Sequence, residues 1–120
     1  MEIREGRIGE VNSLRLSGEL DHADTDDLLD RSTVLLAQGD RLVFDFTHLI
    51  YIDSGGIAVI YMLLDRISHG NGAWIGVLNP SPNVSRILDL VGLVAQQDFR
   101  VFHSREEVVL ANAGLEDPKT

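Results

Sequence analysis

The sequence predicts an α/β fold, with a mixed, mostly parallel sheet of four or five strands, about four flanking helices and an N-terminal β-hairpin. Two short apolar runs rich in β-forming residues, residues 42–46 and 73–78, are typical of the doubly buried strands of parallel sheets. A segment with apolar residues at helical spacing follows each of them. The inferred order β-β-α-β-α-β-α-β-α favours a sheet with right-handed crossovers.

The hairpin is predicted at the start of the chain. Residues 2–9 and 11–18 each have the character of a strand, and Gly9 with Glu10 can turn the first back onto the second. In the second strand Leu14 and Leu16 alternate with polar residues, and this period of two directs one face inward.

Capping residues and apolar spacing predict the four helices. Acidic residues favour the start of the first helix, and Gly39 should end it after about residue 37. Ser81 is the expected N-cap of the third helix, and Ser104 with Glu107 forms a capping box for the fourth. The approximate spans are 23–37, 54–67, 82–91 and 104–113; residues 69–72 close the second helix, and residues 99–102 form the last strand.

The centre of the chain is a strand–turn–helix unit, residues 42–64. The turn Asp53-Ser54-Gly55-Gly56 places Ser54 at or near the helix N-cap, beside free backbone N–H groups and the positive end of the helix dipole. The loop after the second strand, residues 17–22, should open on the same edge of the sheet. The stripe of the second helix that should face the core is Ile57, Ile60, Tyr61, Leu64 and Ile67.

The opposite side of the second helix carries Ala58, Val59 and Met62. We expect these three to be exposed, and an apolar strip beside a polar turn indicates a docking surface rimmed by Asp21 and Asp24. The alternative is that a neighbouring helix covers the strip, and that the two aspartates only cap a helix.

Composition narrows the function classes. The length of 120 residues fits one domain, which we assign to residues 1–114, with a frayed polar tail at 115–120. The chain has no cysteine, so disulfides and thiolate metal sites are excluded. Without a signal-like start or an apolar run near the ~20 residues that span a bilayer, we expect a cytoplasmic protein with no membrane partner. A net charge of −9 disfavours direct nucleic-acid binding.

No catalytic or metal-binding pattern stands out. Asp53-Ser54-Gly55-Gly56 matches part of the nucleophile region of trypsin-like proteases, but the chain is far shorter than a double β-barrel and no glycine precedes Asp53. The histidines show no triad or metal spacing, and a P-loop is absent. We therefore expect no enzymatic activity, no metal and no cofactor; a small nucleotide-binding or hydrolytic domain using Ser54 and Asp53 remains the alternative.

Three stretches, in order, resemble the STAS domain of bacterial anti-sigma factor antagonists. Ser17-Gly18-Glu19-Leu20-Asp21 is similar to the family's Gly-Glu-Leu-Asp loop. Residues 42–46 and 51–57 resemble its core strand and its Asp-Ser-[Ser/Thr]-Gly switch, and residues 79–82, 86–88 and 92–93 resemble its penultimate helix. Gly55 replaces the usual second Ser/Thr, and Ala58 stands where glycine is common.

The resemblance implies the STAS fold and a regulatory function. Ser54 corresponds to the serine that a partner kinase phosphorylates, and the implied partners are an anti-sigma factor with serine kinase activity and a PP2C-type phosphatase. The other possibility is a STAS subunit of a different assembly, stressosome-like or lipid-transporting. We expect a monomer or weak dimer. The expected partner-binding residues are Asp21, His22, Asp24, Asp53, Ser54, Gly55, Gly56, Ala58, Val59 and Met62.

Overall fold

The structure is a computed structural model that describes residues 1–67 and 70–115. Its elements follow the predicted order. Within the described residues they are β1 (Glu2–Ile8), β2 (Val11–Leu20), α1 (Thr25–Ala37), β3 (Arg41–Ile52), α2 (Ser54–Arg66), β4 (Trp74–Leu78), α3 (Pro82–Leu90), a 3₁₀ turn (Leu93–Ala95), β5 (Phe99–Phe102) and α4 (Arg105–Asn112).

The strands form one sheet in the order β1-β2-β3-β4-β5. β1 and β2 pair antiparallel through the predicted hairpin, and the remaining pairs are parallel, so the mixed sheet is confirmed. β3 is longer than the apolar run 42–46 because β2 continues to pair with it, with Ser17 opposite His48 and Leu20 opposite Ile52. The extension ends directly before Asp53 and so carries the polar turn beyond the end of β4.

The core occupies both faces of the sheet. Leu42, Phe44 and Phe46 of β3 lie on the face covered by α1, α2 and α3. Val43 lies on the opposite face with Trp74 and the residues of α4. This alternation follows from the period of two in a strand and confirms that the central strand is buried on both faces.

Local signals correctly predicted three helix ends. Ser81 and Ser104 accept the capping hydrogen bonds from the N–H groups of Val84 and Glu107, as predicted. The predicted end of α1 is confirmed, because the helix ends at Ala37 before Gly39; the residue that takes the left-handed conformation is Asp40, with φ of 59°. The Leu115 N–H donates to the Leu110 carbonyl, so Leu115 is tied to α4; residues 68–69 and 116–120 lie outside the described residues.

No helix in the described part of the chain has the length and apolarity needed to cross a bilayer.

Gly56 sets how closely α2 approaches the sheet. A Cβ at this position would lie 2.7 Å from Leu20 Cδ2 and 2.7 Å from Ile52 Cγ1. We expect Gly56→Ala to lower the free energy of unfolding by about 1–3 kcal/mol, the usual cost of overpacking a core. Denaturant unfolding measures it. Gly39→Ala is the control, since nothing lies within 4 Å of the added carbon; equal stability of the two variants would contradict this packing.

Asp45 gives the fold an acid-sensitive contact. Burial raises the pKa of Asp45, but hydrogen bonds from the Thr47 hydroxyl and N–H, and the Arg15 guanidinium, outweigh burial and hold the pKa below its ordinary value. A lowered folded-state pKa stabilises the fold above the unfolded-state value and is lost as the pH falls through the folded-state value. We expect Asp45→Asn to be less stable than wild type by about 1–2 kcal/mol at pH 7, with the difference shrinking below about pH 4.

Unfolding midpoints in denaturant at pH 7 and pH 3 test this expectation. Asp30→Asn is the matched control, because Asp30 is an exposed residue of α1. A stability difference between Asp45→Asn and wild type that does not depend on pH would show that the charge of Asp45 contributes nothing.

Candidate functional site

Asp53 joins the end of β3 to the start of α2. Its backbone is extended, its N–H donates to the Leu20 carbonyl at 3.1 Å, and its Oδ1 accepts the N–H groups of Gly55 at 2.9 Å and Gly56 at 3.1 Å. Asp53 is therefore the N-cap of α2. Ser54 was predicted to lie at or next to the N-cap. It lies next to it, as the first residue of the helix.

Ser54 stands exposed on the first turn of α2. Its hydroxyl makes no hydrogen bond with any residue that the structure describes, because Asp53 already supplies the cap. The local fold therefore needs nothing from the Ser54 side chain. An activated nucleophile would have a base within hydrogen-bond reach, and within residues 1–67 and 70–115 the serine has none.

The loop between β2 and α1 lies against this turn. Asp21 Oδ1 accepts the Ala23 N–H at 3.0 Å, and the Thr25 hydroxyl donates to the His22 carbonyl at 2.9 Å. These bonds fold the loop back on itself. The two loops share one edge of the sheet, as predicted from the carboxyl ends of parallel strands.

Gly55 lies close to the loop between β2 and α1. A Cβ built on it would lie 3.0 Å from Thr25 Cγ2, 3.2 Å from Asp53 Oδ1 and 3.4 Å from His22 Cα. The second Ser/Thr usual in the resembling family would therefore require its neighbours, first of all the Thr25 side chain, to shift by a few tenths of an ångström. Thr25 was not among the predicted site residues, and no sequence pattern marks it beyond its place at the start of a predicted helix.

The site is strongly acidic. His22 Nδ1 lies 4.0 Å from Asp53 Oδ2, the carboxylate oxygen that is not used for the cap, and the His22 side chain is 90% exposed. Asp24 takes the N-cap position of α1 but makes no side-chain capping bond. The alternative that Asp24 serves as a side-chain cap of α1 is therefore wrong, and its carboxylate adds to the negative charge of the loop between β2 and α1.

The outer face of α2 differs from the prediction at Val59. Ser54, Ala58 and Met62 lie four residues apart and so form one line along the helix; Met62 is 45% exposed and Ala58 half-buried. Val59 is only 2% exposed, and its expected exposure was wrong.

The reason is that α1 packs beside α2. The two helices meet near their starts at Thr25 and Gly55, and near their ends through the hydrogen bond from Arg66 Nη1 to Thr33 Oγ1, 2.9 Å long. Tyr61 packs against the core as predicted, but it is only partly buried, and its hydroxyl donates to the Val91 carbonyl at 2.6 Å. The exposed strip is therefore narrower than predicted.

Comparison with known proteins places the chain in a family. The family model described as "Mlab, STAS domain" matches residues 3–100. The anti-sigma F factor antagonist of Paenibacillus polymyxa is 34% identical over 86 residues, which cover 67% of this chain and 69% of that protein.

Solved structures share the fold. The anti-sigma factor antagonist SpoIIAA in its unphosphorylated form has a TM-score of 0.77 at 22% identity, covering 97% of this chain and 100% of that one. An anti-sigma factor antagonist from Mycobacterium paratuberculosis has a TM-score of 0.76 at 19% identity, covering 97% and 94%. The Bacillus cell fate determinant SpoIIAA in its phosphorylated form has a TM-score of 0.67 at 21% identity, covering 90% and 97%. The chain belongs to the STAS-domain family of anti-sigma factor antagonists.

Proposed function

We propose that this protein is a non-enzymatic, cytoplasmic anti-sigma factor antagonist controlled at Ser54. With Ser54 unphosphorylated, it binds an anti-sigma factor that has serine kinase activity, and a sigma factor is released. Phosphorylation of Ser54 by that partner ends the interaction, and a PP2C-type phosphatase restores it.

The observation that carries the proposal is the state of the Ser54 hydroxyl. It is exposed at a fixed point of the sheet edge and has no structural duty, since Asp53 caps the helix in its place. A kinase can therefore reach it without unfolding the domain, and a phosphate there removes no contact of the native state. The name of the 34% identical relative, an anti-sigma F factor antagonist, supports the antagonist part of this proposal.

The charge around Ser54 explains how one phosphate can end binding. The group adds about −1.5 to −2 charges beside Asp53 and close to the loop that carries Asp21. A partner docked there would face an uncompensated, desolvated charge. A loss of about 3–4 kcal/mol would weaken binding roughly 100- to 1000-fold.

We assign the partner-binding surface to the line Ser54–Ala58–Met62 together with the rim at Asp21, His22 and Asp24. Met62 supplies an exposed, adaptable apolar contact. The acidic rim favours a partner with a basic surface, which electrostatic complementarity would bring to this edge. Val59, Gly55 and Gly56 serve the surface indirectly, because they hold α1 and the sheet against α2.

One alternative has an observation in its favour. The matching family model is described by the name Mlab rather than by sigma factor regulation, so the chain could be a STAS subunit of another assembly. Such a subunit would bind its partner irrespective of a phosphate on Ser54. A nucleotide-hydrolysing domain, in contrast, would turn over or modify itself when incubated with ATP alone.

Phosphorylation of Ser54 is tested with the kinase recovered on the immobilised protein. Intact mass after incubation with that kinase and ATP should show one phosphate on wild type and none on Ser54→Ala, because Gly55 offers no second hydroxyl. Phosphate on Ser17 or Ser81 of the Ser54→Ala protein would contradict a single acceptor.

Binding is tested with Ser54→Asp. An acid on the first turn of a helix is favoured by the dipole, so the free energy of unfolding should change by no more than about 0.5 kcal/mol. The melting temperature should accordingly change little. Binding to the anti-sigma factor should fall at least tenfold, as measured by calorimetry. Ser85→Asp is the control, since Ser85 is exposed on α3. If Ser54→Asp binds like Ser85→Asp, charge at position 54 is not the signal.

Asp21 should matter more for the partner than for the fold. Asp21→Ala removes one exposed hydrogen bond to the Ala23 N–H, which costs about 1 kcal/mol at most. We expect a clear drop in partner affinity or in the rate of Ser54 phosphorylation. Asp89→Ala, at an exposed position of α3, is the control. A collapse of thermal stability with normal binding by the folded fraction would make Asp21 a purely structural residue.

A further inference from the structure

We propose that His22, in its protonated form, is the counter-ion of phosphorylated Ser54 and makes the switch responsive to pH. The inference rests on the proposed function only in that it concerns the same phosphorylated serine. His22 acts here as a positioning residue for the phosphate, and the chemistry of transfer stays with the kinase.

The geometry places His22 beside Ser54 from two directions. The residue before Ser54 is Asp53, whose Oδ2 lies 4.0 Å from His22 Nδ1. The residue after it is Gly55, where an added Cβ would lie 3.4 Å from His22 Cα. Both chain neighbours of the serine thus lie close to His22, and from this placement we infer that the imidazole can turn toward a phosphate on the Ser54 hydroxyl.

No other basic side chain is supplied by the elements that form the site. Neither residues 16–30 nor residues 42–65 contain a lysine or an arginine. His48 lies on β3 five residues before Asp53, which is about 16 Å along a strand. The charged group that faces His22 at a measured distance is Asp53 at the start of α2, and Asp21, Asp24 and Asp26 are its acidic neighbours in the chain.

The His22 side chain can rotate without changing the contacts of its backbone. Its backbone is fixed, because its carbonyl accepts the Thr25 hydroxyl at 2.9 Å and its Cα packs against Gly55. Its side chain is 90% exposed. The ring can therefore leave Asp53 and face a phosphate, which offers up to two charges and three acceptor oxygens.

If His22 pairs with the phosphate, protonation of the imidazole and loss of the second phosphate proton influence each other. A phosphoserine loses its second proton near pH 6, in the range where an imidazole also titrates. An imidazolium beside the phosphate favours the dianion, so it lowers the pH at which the second proton leaves. Because the His22 side chain is 90% exposed, the water-like dielectric applies: at a separation of about 4 Å the pair would interact by about 1 kcal/mol at most, which shifts that midpoint by about 0.3–0.7 pH units.

The test installs phosphoserine at position 54 by genetic encoding, so that no kinase is needed, and follows its ³¹P resonance from pH 4.5 to 8.5. The midpoint in His22→Gln should lie about 0.3–0.7 pH units above that of the unsubstituted phosphoprotein, and 1 M NaCl should reduce the difference. His103→Gln is the matched control. His103 follows β5, whose end is level with Asp45 across the sheet, about 25 Å along the strand from Asp53.

Equal midpoints for His22→Gln and the unsubstituted phosphoprotein would overturn the inference, as would the same shift in His103→Gln. The experiments distinguish failure of the His22 inference from failure of the proposed function. If the recovered kinase leaves Ser54 unmodified while the ³¹P midpoint still depends on His22, the counter-ion is supported and the function is not. If Ser54 is phosphorylated and the midpoint is independent of His22, the reverse holds.

Discussion

The two hydrogen bonds that Asp53 Oδ1 accepts from the N–H groups of Gly55 and Gly56 fix the geometry of the whole site. They satisfy two of the orphan donors at the start of α2 and set the direction in which the helix leaves β3. Because Asp53 also donates its own N–H to Leu20, the cap ties the turn to β2 as well. Ser54 is thereby held in place by its neighbours and contributes nothing itself, which is the condition for a side chain that is to be modified without unfolding the domain.

Gly55 and Gly56, which follow Ser54, allow two different close contacts. Gly56 faces Leu20 and Ile52 and brings α2 down onto the sheet, whereas Gly55 faces Thr25 and His22 and brings the β2–α1 loop up against the turn. The loss of a side chain at position 55 therefore does more than remove a hydroxyl. It also leaves room for Thr25 and the His22 backbone to lie close to the turn.

Much of the fold could be predicted from the sequence because its signals, helix caps and apolar runs, are local in the chain. Ser81 and Ser104 were correctly identified as caps, since each is a small polar residue directly before a helical pattern, and the apolar runs of β3 and β4 indicated the sheet. Val59 could not be placed, because helical periodicity shows which side of α2 faces the sheet but not that α1 lies beside it. Asp53 and Ser54 are both good N-cap residues in adjacent positions, and only the length of β3, set by its pairing with β2, decides between them.

The one-residue difference between cap and first turn changes what a phosphate on Ser54 would do. At the N-cap, its oxygens would accept the free N–H groups of the helix and the charge would be absorbed by the fold. Here Asp53 already occupies two of those donors. The phosphate would keep the favourable dipole but would have to find its hydrogen bonds outside the first turn, in water, in a mobile base such as His22, or in a partner. If Ser54 is phosphorylated as we propose, this arrangement would leave the stability of the domain nearly unchanged and would put most of the effect at the surface that we propose for partner binding.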